Sequence, residues 1–593
     1  MDSARYIERT HIMKTGGDFL TKTICTEEIF TREKFSPEQE EIAKTVEEFA
    51  RERIRPNKQK IEKYNKDLSL ELLRECGELG LLSVDIPEKY EGLGLDKVTS
   101  AIVAETLGFG LCASFSTTMG AHSGIGTLPI VFFGSNSQKE KYLPKLGTAE
   151  LVSAYCLTEP ESGSDALAAK SKAVLSEDGQ NYVLNGTKQF ITNASWADLF
   201  IIFATVTGKF TGFIVERNSA GLSIGPEENK MGIKGSSTCT VYLENVHVPV
   251  ENVLGAIGQG AAIAFNTLNI GRFKLGAATL GGCKAAIEET LQYASERRQF
   301  GQSIRNFDVI KGYFADMSIR TFALDSIIYK TVGLIDDAVS EIDESSATYD
   351  SGVAEAIESY AIEASICKVV GSETLWFVAD KGLQIYGGYG FIEEYPMASV
   401  LRDNRIDRIF EGTNEINRQI ISGYFLKKAL MEELPIREKI KENGNGLAGT
   451  DDHLDVLSKE KRGIEAAKAA VLYVFNETIC KYGQDLPNEQ QIGSMLSDLF
   501  SDIYLVDSVL KRVIQKFATS EVDRNWLAIA RVFSAEKFYE ISSSCKKIVS
   551  SILENKDLEN GLRDLNTFDK KMHLTTNVFE LKRQIADNLY EKN

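Results

Sequence analysis

The sequence predicts a mainly α protein with a central β domain, on three observations. Apolar residues recur at helical spacing through roughly the first 150 positions and again beyond about residue 260. Between Tyr155 and Val250 the period falls towards two. A polar, Gly/Asn-containing stretch, MEELPIREKIKENGNGLAGTDDHLD, then sets apart a last block of helical stripes. These changes of period divide the chain into a segment 1–35, a helical domain 36–150, a β domain 151–258, a helical domain 259–430, a linker 431–454 and a helical extension 455–593.

The first helix has its own start signal. Ser36-Pro37-Glu38-Gln39 is a capping box with proline at the first helical position, and Ile42, Val46, Phe49, Ala50 and Ile54 carry the stripe up to Pro56. Further helices are expected over about 68–80, 97–109 and 137–146. In the β domain, Tyr182-Val183-Leu184 followed by Asn185-Gly186 reads as a hairpin with a type I′ turn. Leu199–Val206, Phe213–Val215 and Val241–Leu243 add strands. A long helix is expected over Ala261–Arg298 despite Gly271, Gly276, Gly281 and Gly282, which weaken propensity but permit close approach. Helices over about 308–334 and 353–380, with one after Thr413, make four, enough for a bundle. In the extension, Ile464, Val471, Phe475 and Ile479 begin one stripe, and Ile492, Leu496, Leu499, Ile503 and Val506 form another.

At 593 residues with 43% hydrophobic composition the chain can bury several cores. A net charge of −18 speaks against nucleic acid and anionic lipid as partners. Nine cysteines without a CxxC pair and five dispersed histidines suggest no metal site. Scattered thiols and a start without a secretory h-region or transit pattern point to a reducing cytoplasm. No apolar run reaches the roughly 20 residues that span a bilayer.

Candidate chemistry sits in a few strings. In RDNRIDRIFEGTNEINR (402–418) one carboxylate, Glu411, lies between Ile409-Phe410 and a Gly-Thr turn, on a loop before a helix that Thr413 would cap, with Glu415 at its positive end. Poor solvation there would lift its pKa from about 4.3 towards the roughly 6–7 useful to a general base. YCLTEPESGSD (155–165) offers hydroxyls and amides suited to a polar heterocycle or phosphate, and KQFITNA (188–194) places Phe190 and Thr192 on one strand face. In ERRQFGQSI, Arg297 is a candidate for bidentate phosphate binding.

Taken together, IFEGTNEINR and QIYGGYGF (384–391) resemble the signature segments of the acyl-CoA dehydrogenase family, and the likeness covers about residues 36–430. The whole chain is most similar to the very-long-chain branch, which carries a C-terminal extension of this kind. The resemblance implies an N-terminal helical domain, a β-barrel-like middle domain, a four-helix bundle and the extension. It implies FAD as cofactor and α,β-dehydrogenation of a fatty acyl-CoA, of long chain by branch, to the trans-2-enoyl-CoA in fatty acid β-oxidation. Electrons would pass to an electron-transfer flavoprotein.

Residue by residue, the likeness makes Glu411 the base, its N–H and a ribityl hydroxyl of FAD holding the thioester oxygen. Thr158 and Thr192 bond the flavin, Phe190 packs on it, and Tyr155, Leu157, Ser164, Thr413 and Glu415 complete that side. Ser164, Asn269, Arg272, Phe410 and Gly412 face the acyl-CoA. Arg297, Gln299 and Phe300, with Gln384, Gly387 and Gly388, reach a homodimer partner's FAD. Two positions qualify this. Many members have Trp where this chain has Phe190, so the indole N–H is lost. Some branches, including isovaleryl-CoA dehydrogenases, carry the base where this chain has Gly271, which cannot abstract a proton. The extension is associated in that branch with dimers and with membranes, but its interspersed charges leave at most weak membrane-surface contact.

Two rivals follow. Acyl-CoA oxidases share the fold and use oxygen, and an assembly or binding protein could keep the fold without the chemistry. A nicotinamide enzyme would need GxGxxG between strand and helix, and GAIGQGAAI and YGGYGFIEE fail that spacing.

Overall fold

The computed structural model describes residues 16–24, 28–346, 348–444, 457–519 and 523–592. Its first long helix, Pro37–Phe49, begins where the capping box requires: Ser36 Oγ accepts the Gln39 N–H at 3.1 Å, and the Gln39 side chain accepts the Ser36 N–H at 3.1 Å. Helices Lys66–Glu78, Lys97–Leu107 and Asn136–Gly147 follow, with a core that includes Val46, Leu72, Leu73 and Phe115.

The middle domain is an eight-stranded sheet ordered β6-β7-β3-β2-β4-β5-β8, with β1 parallel to β4. The strands are β1 Ser153–Cys156, β2 Lys172–Leu175, β3 Asn181–Thr192, β4 Leu199–Val206, β5 Lys209–Glu216, β6 Leu222–Glu227, β7 Thr238–Pro249 and β8 Val253–Leu254. The path has two ends, so the barrel-like sheet does not close. Asn185-Gly186 is not a hairpin turn. β3 runs through it, paired along its length with β7, and the dipeptide marks a register shift where Asn185 exchanges hydrogen bonds with Asn245. Glycine is there because a Cβ would collide with Ser171 on the neighbouring segment. Tight two-residue hairpins lie instead at Thr207-Gly208, between β4 and β5, with φ of 47° and 82°, and at Phe300-Gly301, between Arg298–Gln299 and Gln302–Ser303, with φ of 51° and 80°.

Four helices form the bundle: Gly260–Glu296, Asp308–Ser340, Ala361–Tyr386 and Asn414–Leu430. The third was expected as one helix from about 353. Tyr360 (φ −103°, ψ 23°) breaks it, leaving a separate helix Tyr349–Ser359 in front. The first runs unbroken through its glycines, and Gly276 shows why they are present: a Cβ would lie 2.9 Å from the Cys367 carbonyl of the third helix.

The linker is helical over Ile436–Gly444, where Ile436 is buried, and its residues 445–454 lie outside the described residues. Over its described residues the extension is five helices, Ser458–Tyr482, Gln490–Thr519, Arg524–Ile552, Asn555–Met572 and Val578–Lys592, packed on the second and fourth bundle helices. No described helix is long and apolar enough to cross a membrane.

The described residues before Ser36, 16–24 and 28–35, are a strap laid between bundle and extension. Phe19 and Leu20 are buried, the Phe19 ring lies 4.7 Å from that of Tyr504, and the Gly17 N–H donates to Glu363 at 2.7 Å. The Ile24 N–H donates to Glu465 and the Ile29 N–H to Gln515. Beside it, Asp507 takes Lys330 at 2.9 Å, Lys468 at 2.8 Å and Lys511 at 3.1 Å, joining the second bundle helix to two extension helices. Burial works to raise the Asp507 carboxyl, and the three ammonium groups override it and hold it well below the usual carboxylate range. Asp507→Asn would leave three buried lysines facing a neutral amide. It should cost about 3–5 kcal/mol, read as a clear fall in melting temperature; an unchanged melt would contradict the anchoring role of this cluster.

Candidate active site

Glu411 and Gly412 form a short connection between the turn Arg405–Arg408 and the fourth bundle helix. Both have positive φ, 57° and 80°. For a glutamate this is an uncommon conformation that costs energy unless its surroundings hold it. Thr413 caps the helix as expected, its hydroxyl accepting the Ile416 N–H at 3.2 Å. The loop carbonyls are all gathered. Asn417 Nδ2 donates to Glu411 O, Gly412 O and Thr413 O, Lys368 Nζ donates to Gly412 O at 2.8 Å, and Arg272 Nε lies 3.5 Å from Glu411 O. The Glu411 N–H makes no hydrogen bond among the described residues.

The Glu411 carboxylate points at the first bundle helix. A Cβ added at Gly271 would sit 2.6 Å from Oε2, which is buried and has no hydrogen-bond partner among the described residues. Burial raises this carboxyl to about 7, against the opposing pull of Arg272 and Lys368. Arg272 is itself buried and pushed down to about 10, with Nη1 donating to Asn269 at 2.7 Å. Tyr155, whose hydroxyl is driven up by burial and then by the Glu411 charge, closes the site from β1. Glu411, Gly412, Asn269, Arg272 and Tyr155 thus meet at the junction of bundle and sheet, although the sequence separates them by more than 250 positions.

Across β1 and β3 the structure sets out Leu157, Thr158, Phe190 and Thr192. The Gln189 N–H donates to Thr158 O at 2.9 Å, so the two strings expected to act together are neighbours. Phe190 sits at a register shift in β3 with φ 58° and is 58% exposed, and it and Thr192 flank the buried Ile191. Ser164 lies on the exposed loop between. A buried ion pair, Lys188 Nζ to Glu159 Oε1 at 2.6 Å, pins that loop to β3, and Lys188 also donates to Leu157 O.

Arg297, Gln299, Gly387 and Gly388 line a separate open cleft of about 450 Å³ with Tyr293, Tyr386 and Tyr389. The Arg297 guanidinium lies 5.6 Å from the Tyr389 ring centre. Phe300, at the tip of its hairpin, is 93% exposed, and Gln384 is exposed one turn before the glycines. This cleft and the Glu411 loop are held at separate places along one helix: Lys368 and Tyr386 are separated by roughly 27 Å along it.

A helical domain, a sheet and a bundle meet at one buried carboxylate of raised pKa. The chain belongs to the acyl-CoA dehydrogenase family: the N-terminal domain matches residues 36–150, the middle domain 154–246 and the C-terminal domain 258–424, and a further acyl-CoA dehydrogenase C-terminal domain matches 466–565. It is 44% identical over 98% of both chains to a probable acyl-CoA dehydrogenase of Bacillus subtilis. It is 37% identical to the bovine mitochondrial very long-chain specific acyl-CoA dehydrogenase, over 73% of this chain and 68% of that one. A crystal structure of an acyl-CoA dehydrogenase complexed with FAD from Bacillus anthracis superposes with a TM-score of 0.93 at 44% identity, covering 98% of this chain and 99% of that one.

FAD is the cofactor. The residues present fit it: Phe190 offers an exposed ring beside Thr192, and Gly387 and Gly388 have nothing within 4 Å of where a side chain would begin.

Sequence reasoning missed Lys368, Asn417 and the Lys188–Glu159 pair. Lys368 did carry a signal, being a charge within the apolar run Ala364–Gly371 of a helix buried on most sides. The other residues had none.

Because folding raises the Glu411 pKa, its contribution to stability is intact below the ordinary carboxylate value and is lost as pH rises through about 7. Glu411→Gln should therefore melt higher than the parent protein at pH 8 and show little difference near pH 5. Equal melting temperatures at pH 8 would contradict the burial argument.

Proposed function

We propose that the chain dehydrogenates a long-chain fatty acyl-CoA to the trans-2-enoyl-CoA in β-oxidation, with Glu411 removing the α-proton, and delivers the electrons to an electron-transfer flavoprotein. The observation that carries this reading is the Glu411 carboxylate, buried, unpartnered at Oε2 and raised to about 7. A hydrogen beside a thioester carbonyl is a very weak acid, so its removal needs a poised base and stabilisation of the negative charge that develops on the carbonyl oxygen. The free Glu411 N–H can donate to that oxygen, a contact worth about 2.7–4 kcal/mol in a water-excluded site. Arg272 and Asn269 bind on the acyl-CoA side, with Phe410, Gly412 and Ser164 around the thioester.

Thr158, Thr192 and Phe190 hold the flavin ring, with Tyr155, Leu157, Ser164, Thr413 and Glu415 at its margins. When bound, FAD supplies the acceptor for the β-hydrogen and its electron pair. Arg297, Gln299, Gly387 and Gly388 line a cleft that holds none of Glu411, Thr158, Phe190 and Thr192, which, with the nearby Phe300 and Gln384, favours their serving the FAD of a second copy in a homodimer. The exposed Phe300 hairpin supports this. Similarity to very long-chain specific relatives favours long acyl chains.

Glu411→Gln keeps the size of the side chain and removes the base. The variant should purify yellow and bind acyl-CoA while turnover falls by about 10²–10⁴-fold. Wild-type turnover would sink the assignment. In the parent protein, palmitoyl-CoA should be oxidised faster than butyryl-CoA, with electron-transfer flavoprotein reduced and no peroxide formed. The reverse order of substrates would contradict the long-chain reading, and peroxide would contradict the acceptor.

A further inference from the structure

Lys368 stands one helix away from the reacting centre and has no part in the scheme above. It lies on Ala361–Tyr386 and is fully buried. Its ammonium donates to Gly412 O and to Asn414 Oδ1, each at 2.8 Å, and no carboxylate lies at ion-pair distance from it among the described residues. Asn414 is fixed in turn by Ser372 and Glu373. A neutral donor would satisfy both oxygens without the desolvation of a charge. The positive charge therefore answers to something further off, and the anions within its electrostatic reach are Glu411, Asp407 and Glu415.

We infer that Lys368 is the positioning residue of the base loop: its two hydrogen bonds hold the left-handed Glu411-Gly412 turn against the third bundle helix, and its charge sets how readily the Glu411 carboxylate ionises. This rests on the reading of Glu411 as the base. The turn needs such a clamp, because Glu411 occupies a conformation that an unrestrained glutamate leaves. The clamp acts on Gly412, the residue next to the base, so a shift of the ammonium moves the carboxylate and the Glu411 N–H together. Electrostatically, Glu411 faces two cations, Arg272 from the first helix and Lys368 from the third, with the Tyr155 hydroxyl on the sheet side. Asp407 faces Lys368 from the preceding turn and is tied to Asn404. Burial brings Lys368 down to about 8, so it still carries its charge at neutral pH.

The test compares Lys368→Met, which removes charge and donors, with Lys368→Gln, which keeps a donor one bond shorter and removes the charge. Two quantities are read against pH: the rate of flavin bleaching by palmitoyl-CoA in single turnover, and the ionisation of Glu411 in the substrate-free protein by infrared difference spectroscopy against Glu411→Gln. Both variants should move the acid limb of the bleaching rate and the carboxyl ionisation up by roughly one pH unit, since a stabilising positive charge has gone. Lys368→Met should also lose at least about tenfold in the limiting rate at high pH, and Lys368→Gln less than about threefold.

If both variants keep the parent's limb and ionisation and only melt lower, Lys368 is a structural residue and the inference is overturned. Should Lys368→Met not fold, the carboxyl ionisation of Lys368→Gln decides. A parent protein that does not bleach, or a Glu411→Gln variant that bleaches like the parent, would instead bring down the reading of Glu411 itself.

Discussion

A carboxylate that is buried and must still ionise near neutral pH sets the terms for the rest of this structure. Burial alone would leave Glu411 protonated, and full pairing with a cation would leave it too weak a base. The arrangement lies between these limits. Arg272 and Lys368 are close enough to pull the carboxyl back to about 7, yet Oε2 has no hydrogen-bond partner among the described residues. Gly271 supplies the space for that oxygen. The loop conformation follows from the same demand. Two successive residues at positive φ turn the carbonyls towards Lys368, Asn417 and Arg272, and the Glu411 N–H is left free for a ligand.

Such a site requires rigid helices around it, and the packing outside the bundle bears on that rigidity. The fourth bundle helix, which Thr413 starts, is flanked by the extension: Arg418 pairs with Asp498, and Phe425 packs its ring 4.2 Å from that of Phe500. The strap before Ser36 lies over the same junction, with Gly17 bound to Glu363 on the helix that carries Lys368. Asp507 and its three lysines fix the extension to the second bundle helix. Extension and strap are thus continuous with the walls of the site.

Much of this was legible in the sequence. The capping box at Ser36, the Thr413 cap, the change of period near Tyr155 and the four bundle helices all follow from local patterns, and local patterns control helix ends and strand alternation. Two of the errors have one physical source, contacts between segments distant in sequence. Asn185-Gly186 has hairpin chemistry, but Ser171 and Asn245 hold it inside a strand. The strap has no periodicity because its residues fill a groove that other elements make. At the site, the motif strings singled out Glu411 and the β-domain residues as candidates; Lys368 left a signal only as a charge in an apolar run, and Asn417 depends on a loop geometry that no single-residue pattern encodes.

The most direct measurement is the visible spectrum of the purified protein, taken without oxygen before and immediately after adding palmitoyl-CoA. A poised base facing bound FAD predicts flavin bands that bleach within the mixing time. A yellow protein whose bands persist with palmitoyl-CoA would contradict the proposed chemistry at Glu411 for that class of substrate.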